Sequence, residues 1–247
     1  MIGGVLFLTG VVAGVVSVVV SLASVISYPA LLALGVPPVA ANVTNTVSLV
    51  FTGVGSALGS RRELAGLGPT VLRLAAVTAL GGATGAALLL LLPGRAFEVV
   101  APVLVAGASV LLWLQPRLRE RLPLHPRGAT PLTMLALYCA AIYTGYFGAA
   151  GGILTLVVLG SVLEAPLVRL NAVKNAIAGF ANGVAALGFV VFGPVDWTAV
   201  VPLASGFLVG GWLGPAVARR LPEEVLRALV GACGVTVAGV LAWRTYR

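Results

Sequence analysis

Residues 131–163 read PLTMLALYCAAIYTGYFGAAGGILTLVVLGSVL. About 20 apolar residues cross the hydrocarbon core of a bilayer, so this run is too long for one crossing. Gly148, Gly151 and Gly152 interrupt it. The pattern predicts two half-helices joined by a small-residue break. Residues 2–35 pose the same problem: as one 34-residue helix they would measure about 51 Å. Ser21, Ser24, Ser27 and Pro29 break that run, and the same reading applies to it.

Around these two broken runs lie six stretches of ordinary spanning length: 39–59, 69–92, 96–115, 170–193, 198–219 and 223–244. Of the 247 residues, 60% are hydrophobic and only 9% charged. A water-soluble domain carries about 25% charged residues, so this surface is too poor in charge to face water. The 32 glycines and 15 prolines fall largely inside apolar runs, as in membrane helices. The expected fold class is an all-α integral membrane protein in the lipid bilayer. The start Met1-Ile2-Gly3-Gly4 lacks the basic stretch of a signal peptide, so the first run is expected to stay.

Several functions are excluded on the same grounds. The net charge of +8 comes from basic residues in short loops rather than along one face, which argues against nucleic-acid binding. Cys139 and Cys233 lie in separate apolar runs, and His125 lies in a Pro/Arg-rich loop; no metal set and no cofactor is implied. Glu63, Glu98, Glu120, Glu164, Asp196, Glu223 and Glu224 all fall at loops or helix ends. An intramembrane hydrolase would lack its base, and a proton relay its buried carboxylate. The chain is not expected to be an enzyme.

The two halves correspond at a spacing of about 130 residues: Asn45 with Asn175, Trp113 with Trp243, and Gly81xxxGly85 with Gly210xxxGly214. This divides the chain into a repeat over 1–115, an Arg/Pro-rich linker over 116–130 and a second repeat over 131–247. If all eight segments span, the fourteen arginines split nine to five between the two sides. If the broken runs are re-entrant hairpins and six helices span, they split eleven to three. The positive-inside rule favours the second arrangement: two inverted repeats, a cytoplasmic linker, and both termini on the non-cytoplasmic side of the cell membrane. Inverted repeats with broken helices are a recurring architecture of secondary transporters, with the substrate bound near the midplane where the repeats meet.

Candidate binding residues follow from depth and helical phase. Lys174 is the only lysine and sits inside an apolar stretch, where a charge costs about 2.5–3.5 kcal/mol. Asn171, Lys174 and Asn175 share a helical face, which Asn182 rejoins one heptad later. Asn42, Thr44 and Asn45 mark the corresponding helix of the first half, and Thr52 follows Asn45 at the same interval. Ser21, Ser24, Gly148, Gly151 and Gly152 can present hydroxyls and backbone N–H groups to an anion. Simple alternatives stand beside these readings. Lys174 can snorkel to the interface, and Ser, Thr and Asn can bind helices together. The pairs Gly10xxxGly14, Gly55xxxGly59, Gly81xxxGly85 and Gly210xxxGly214 read as packing contacts. Tyr28, Tyr143 and Tyr146 flank the breaks, where they would line a path or anchor at an interface.

Two stretches carry a resemblance. The first half has Leu34-Gly35-Val36-Pro37-Pro38 followed by Ala41-Asn42-Val43-Thr44-Asn45. The second has Gly148-Ala149-Ala150-Gly151-Gly152 and, later, Asn171-Ala172-Val173-Lys174-Asn175. Over nearly its whole length the sequence resembles the sulfite exporter TauE/SafE family of membrane proteins. It departs at Val20-Ser21-Leu22-Ala23-Ser24, where the family has a glycine cluster. The resemblance implies a transporter of a small sulfur-containing anion: sulfite, thiosulfate or an organosulfonate. An anion channel and a non-transporting scaffold subunit are the competing readings, and a homo-oligomer stays open.

Overall fold

The computed structural model describes residues 2–120, 128–148, 151–220 and 239. Apart from residue 239, the helix expected over 223–244 lies outside them, as do His125, Cys233, Trp243 and five arginines of the charge count (Arg121, Arg127, Arg227, Arg244 and Arg247). The described part is all helical, in the order α1 (Ile2–Val20), α2 (Ser24–Ala33), α3 (Pro38–Gly59), α4 (Arg61–Leu64), α5 (Gly68–Leu91), α6 (Gly94–Glu120), α7 (Pro131–Phe147), α8 (Gly151–Val162), α9 (Leu167–Phe192) and α10 (Trp197–Ala218). Among the described residues, α1, α5, α9 and α10 are each long and apolar enough to cross a membrane.

Local chemistry sets the boundaries. Pro38 opens α3 at a position where the missing N–H costs nothing. Thr130 and Thr133 close a capping box ahead of α7, and the Asp196 carboxylate caps α10. Gly148 ends α7 with a φ of 76°, the left-handed turn that glycine adopts without strain. Both breaks therefore fall where the small residues predict them. They divide their runs unequally. α1 has 19 residues and α2 only 10, while α7 has 17 and α8 has 12. The first arms are nearly full crossings rather than halves.

The bundle has two ends. α10, about 33 Å long, starts at Asp196 and finishes at Arg219, whose Nη1 lies 2.9 Å from Glu63 Oε1. Ile2 and Gly3 share a surface cavity with Leu34, Val36 and Asp196, so α1–α2 leaves the Asp196 end and returns to it. Met134 near the start of α7 and Leu163 just after α8 pack into one cluster with Leu64 and Leu67. The α7–α8 segment thus begins and finishes at the Glu63 end. Arg169 is also there, donating from Nε to the Glu63 carbonyl at 3.0 Å and from Nη2 to the Ala65 carbonyl at 2.6 Å.

Packing is close because small residues line the crossings. Gly10 and Gly14 of α1 meet Gly206 and Gly210 of α10 backbone to backbone. Gly81 and Gly85 of α5 meet α7 in the same way, and Gly55 and Gly59 of α3 lie on α10. The four GxxxG pairs Gly10xxxGly14, Gly55xxxGly59, Gly81xxxGly85 and Gly210xxxGly214 are packing contacts, of the kind that drives helix association where lipid tails are as apolar as side chains. At the bundle's core, Tyr28 is 1% exposed and meets Phe97 and Phe147 edge-on, at 6.3 and 5.9 Å between centroids. Tyr28 is thus an anchor of the aromatic core, not the lining of a path.

Candidate functional site

Two polar helices, α3 and α9, and the two breaks build the site. Ser21 follows α1 with a φ of 63°, alone among described non-glycine residues in the left-handed region. That conformation costs such a residue about 1–2 kcal/mol, and a specific bond holds it. Lys174 Nζ donates to Ser21 Oγ at 2.6 Å and lies 3.5 Å from the Val18 carbonyl oxygen. Lys174 is only 2% exposed, so it does not snorkel. The last carbonyls of α1 form the negative end of a helix dipole, which favours a cation there.

The second break reaches the same point. Gly152, in the first turn of α8, is packed so tightly that a Cβ would stand 2.6 Å from Ser21 Oγ and 3.4 Å from Lys174 Cδ. A Cβ on Gly151 would run into the Thr144 hydroxyl. The N-terminus of α8, whose first amides have no partner within the helix, therefore opens beside the buried Lys174 side chain. Asn175 extends the cluster by donating Nδ2 to the Val18 carbonyl at 3.4 Å. Asn171 lines a cavity of about 90 Å³ with Ser60, Glu63 and Asn175, and its Oδ1 is buried without a hydrogen-bond partner.

A second cluster surrounds the start of α2. Asn45 Nδ2 donates to Ser24 Oγ at 3.0 Å, and Asn45 Oδ1 accepts from Ser27 Oγ at 2.6 Å. Ser24 Oγ in turn donates to the Gly148 carbonyl at 3.1 Å, joining the two breaks directly. Asn42 Nδ2 donates to the Tyr146 carbonyl at 2.9 Å. Asn42 and Asn175 thus do equivalent work: each holds a carbonyl near the end of the other segment's first arm, α7 or α1.

Thr44 stands apart. Its hydroxyl accepts from the Asp196 amide at 2.9 Å, tying α3 to the cap of α10. The Asp196 carboxyl is held below its ordinary value, first by the Thr198 hydroxyl at 2.6 Å, against the opposing effect of burial. Thr52 and Asn182 are buried, with Thr52 Oγ1 and Asn182 Oδ1 lacking partners. Two further residues join these clusters, Ser27 beside Asn45 and Glu63 beside Asn171. Ser27 carries a faint sequence signal, one turn beyond Ser24 on the same helix. Glu63 carries none, because its partners Arg169 and Arg219 are remote in sequence.

An apolar bundle with two meeting breaks and a buried lysine at their junction has the form of a membrane transporter. The comparisons agree. The family model described as "Sulfite exporter TauE/SafE" matches residues 6–241, and the chain belongs to that family, one of transporters and not of enzymes. It is similar to the "Probable membrane transporter protein YfcA" of Escherichia coli strain K12, 26% identical over 242 residues, covering 97% of this chain and 87% of that one. It is also similar to the "Probable membrane transporter protein ORF9" of Sinorhizobium sp, 28% identical over 239 residues, covering 94% and 89%. No solved structure matches the chain significantly.

Proposed function

We propose that the protein is a secondary transporter carrying a small sulfur-containing oxyanion, such as sulfite, thiosulfate or an organosulfonate, across the cytoplasmic membrane. The observation that carries this reading is the burial of Lys174 against Ser21 and the α8 N-terminus. A sulfur oxyanion can replace the Ser21 hydroxyl as acceptor for the ammonium, and the α8 amides can share its charge. Asn175 and Ser24 supply further neutral partners. Asn45, Asn42 and Gly148 act in this reading by fixing the two breaks against each other.

The inverted-repeat reading is supported by matched packing. α1 packs on α10 while α7 packs on α5, and α3 packs on α10 while α9 packs on α5. Each broken segment therefore leans on the other half of the chain, a relation that two inverted copies would produce. The orientation is supported by charge: Arg61, Arg62, Arg169 and Arg219 gather at the Glu63 end. By the positive-inside rule that end is cytoplasmic, which puts the N-terminus on the opposite side.

The test is flux in proteoliposomes loaded separately with sulfite, thiosulfate, a short alkanesulfonate and chloride. Saturable uptake of at least one sulfur oxyanion above chloride is expected. Equal and non-saturating flux of all four would replace the carrier with a channel, and no flux of any would remove the reading.

A further inference from the structure

Glu63 is shared by two cavities. On its outer side lies a hollow of about 380 Å³ lined by Arg61, Arg62 and Arg219. On its inner side lies the cavity of about 90 Å³ that Asn171 and Asn175 line, one helical position from Lys174. The carboxylate is held between them. Oε1 pairs with Arg219 at 2.9 Å, while Oε2 is buried without a partner. Its backbone carbonyl is fixed by Arg169. Exposure is graded across the pair, 46% for the Arg219 side chain against 16% for Glu63.

Resting on the oxyanion-transport reading, we propose that Glu63 is the gate residue of the anion path at this end. A carboxylate in the throat repels an anion, and its pairing with Arg219 closes the way. Guanidinium groups take carboxylates and tetrahedral or pyramidal oxyanions by the same paired N–H geometry. An oxyanion arriving among Arg61, Arg62 and Arg219 therefore competes with Glu63 for Arg219. Once it replaces the carboxylate, α4 is released from α10 and the inner cavity opens. A half-exposed ion pair is suited to such exchange, since pairs of this kind contribute little net stability. No proton is required, and among the described residues the charged groups facing Glu63 are all cations: Arg61, Arg62, Arg169 and Arg219.

The test uses the full chain with Cys139 and Cys233 replaced and Ala172→Cys introduced; Ala172 is buried and lines the inner cavity. Two thiol reagents are compared in detergent: the anionic sulfonatoethyl and the neutral methyl methanethiosulfonate. Glu63→Gln is expected to speed labelling by both reagents about three- to fivefold, the range open to a weak ion pair. Arg219→Gln breaks the pair from the other side and should give the same gain with the neutral reagent. Thermal midpoints are measured alongside, and a gain in a variant with an unchanged midpoint is the supporting result. Acceleration of the anionic reagent alone would make Glu63 a wall charge and overturn the gate. Unchanged labelling in both variants would overturn it as well. Either result beside lost flux in Lys174→Gln removes the gate and leaves the transport site standing; intact flux in Lys174→Gln removes the site itself.

Discussion

Lys174 Nζ and Ser21 Oγ meet at 2.6 Å across 153 positions of sequence. The contact ties the helix with the chain's one lysine to the strained tip of the first broken segment. Two costly features, a buried lysine and a left-handed serine, are each stabilised by the other. Removing either partner exposes the cost of the one that remains.

That coupling makes Gly152 intolerant of a side chain. An alanine Cβ would stand 2.6 Å from Ser21 Oγ and 2.7 Å from Ser21 Cβ, too close to resolve by a rotamer change. Overpacking of this kind costs about 1–3 kcal/mol. Gly152→Ala is expected to lower the thermal midpoint in detergent and to depress flux beyond the loss of folded protein. A midpoint equal to wild type would show that the two breaks are not pressed together.

Asn45 uses both ends of its amide on Ser24 and Ser27 within a fully buried site. Asn45→Ala would leave two buried hydroxyls without that partner, at about 1–3 kcal/mol for an unsatisfied group. Asn45→Asp keeps the acceptor and loses the donor to Ser24, so it should fall between the two. Chemical denaturation of purified variants orders the three. Equal stability of Asn45→Ala and wild type would refute the network.

Asp196 offers a pH test outside the bilayer. Hydrogen bonds from Thr198, side chain and amide, and from Ala199 favour the ionised carboxylate, so its folded-state pKa lies below the unfolded one. The stabilisation is therefore fully present above the unfolded value, about 3.9, and lost as pH falls through the folded value. Asp196→Ala should cost about 1 kcal/mol at pH 7, as for other helix caps, with the difference from wild type shrinking below about pH 4. A difference that grows on acidification would contradict the sign.

Much of this arrangement is legible in the sequence because lipid imposes length. A run of more than 30 apolar residues has to bend, and Gly148 and Ser21 mark where. Lys174 is legible for the same reason, since a lone charge in a spanning stretch needs compensation. The partners are less legible. Asn45 and Asn175 occupy matching positions, yet Asn45 bonds within its own half to Ser24 while Asn175 reaches across to Val18. Thr44, on the same helix as Asn45, turns to Asp196 instead. Periodicity fixes the face of a helix but not which neighbour meets it. The unequal arms had no signal either, because α1 and α2 are both apolar throughout.

Topology is open to direct labelling. Single cysteines beside Arg62 and Arg219 should react only with reagents that reach the cytoplasm, and one beside Ile2 only from outside. A tag at the C-terminus is expected outside as well. A cytoplasmic N-terminus together with an external Arg62 would reverse the orientation; opposite sides for Arg62 and Arg219 would break the inverted arrangement itself.

The most direct measurement is sulfite flux into proteoliposomes for wild type, Lys174→Gln and Lys174→Arg at equal folded protein. A hydrogen bond to a charged group contributes about 1.5–3 kcal/mol, so Lys174→Gln should lose roughly ten- to a hundredfold in flux. Lys174→Arg should retain a measurable part of it, because the charge survives while the geometry changes. Wild-type flux kinetics in Lys174→Gln would contradict the account, leaving the lysine a structural tether for Ser21 and moving anion recognition elsewhere.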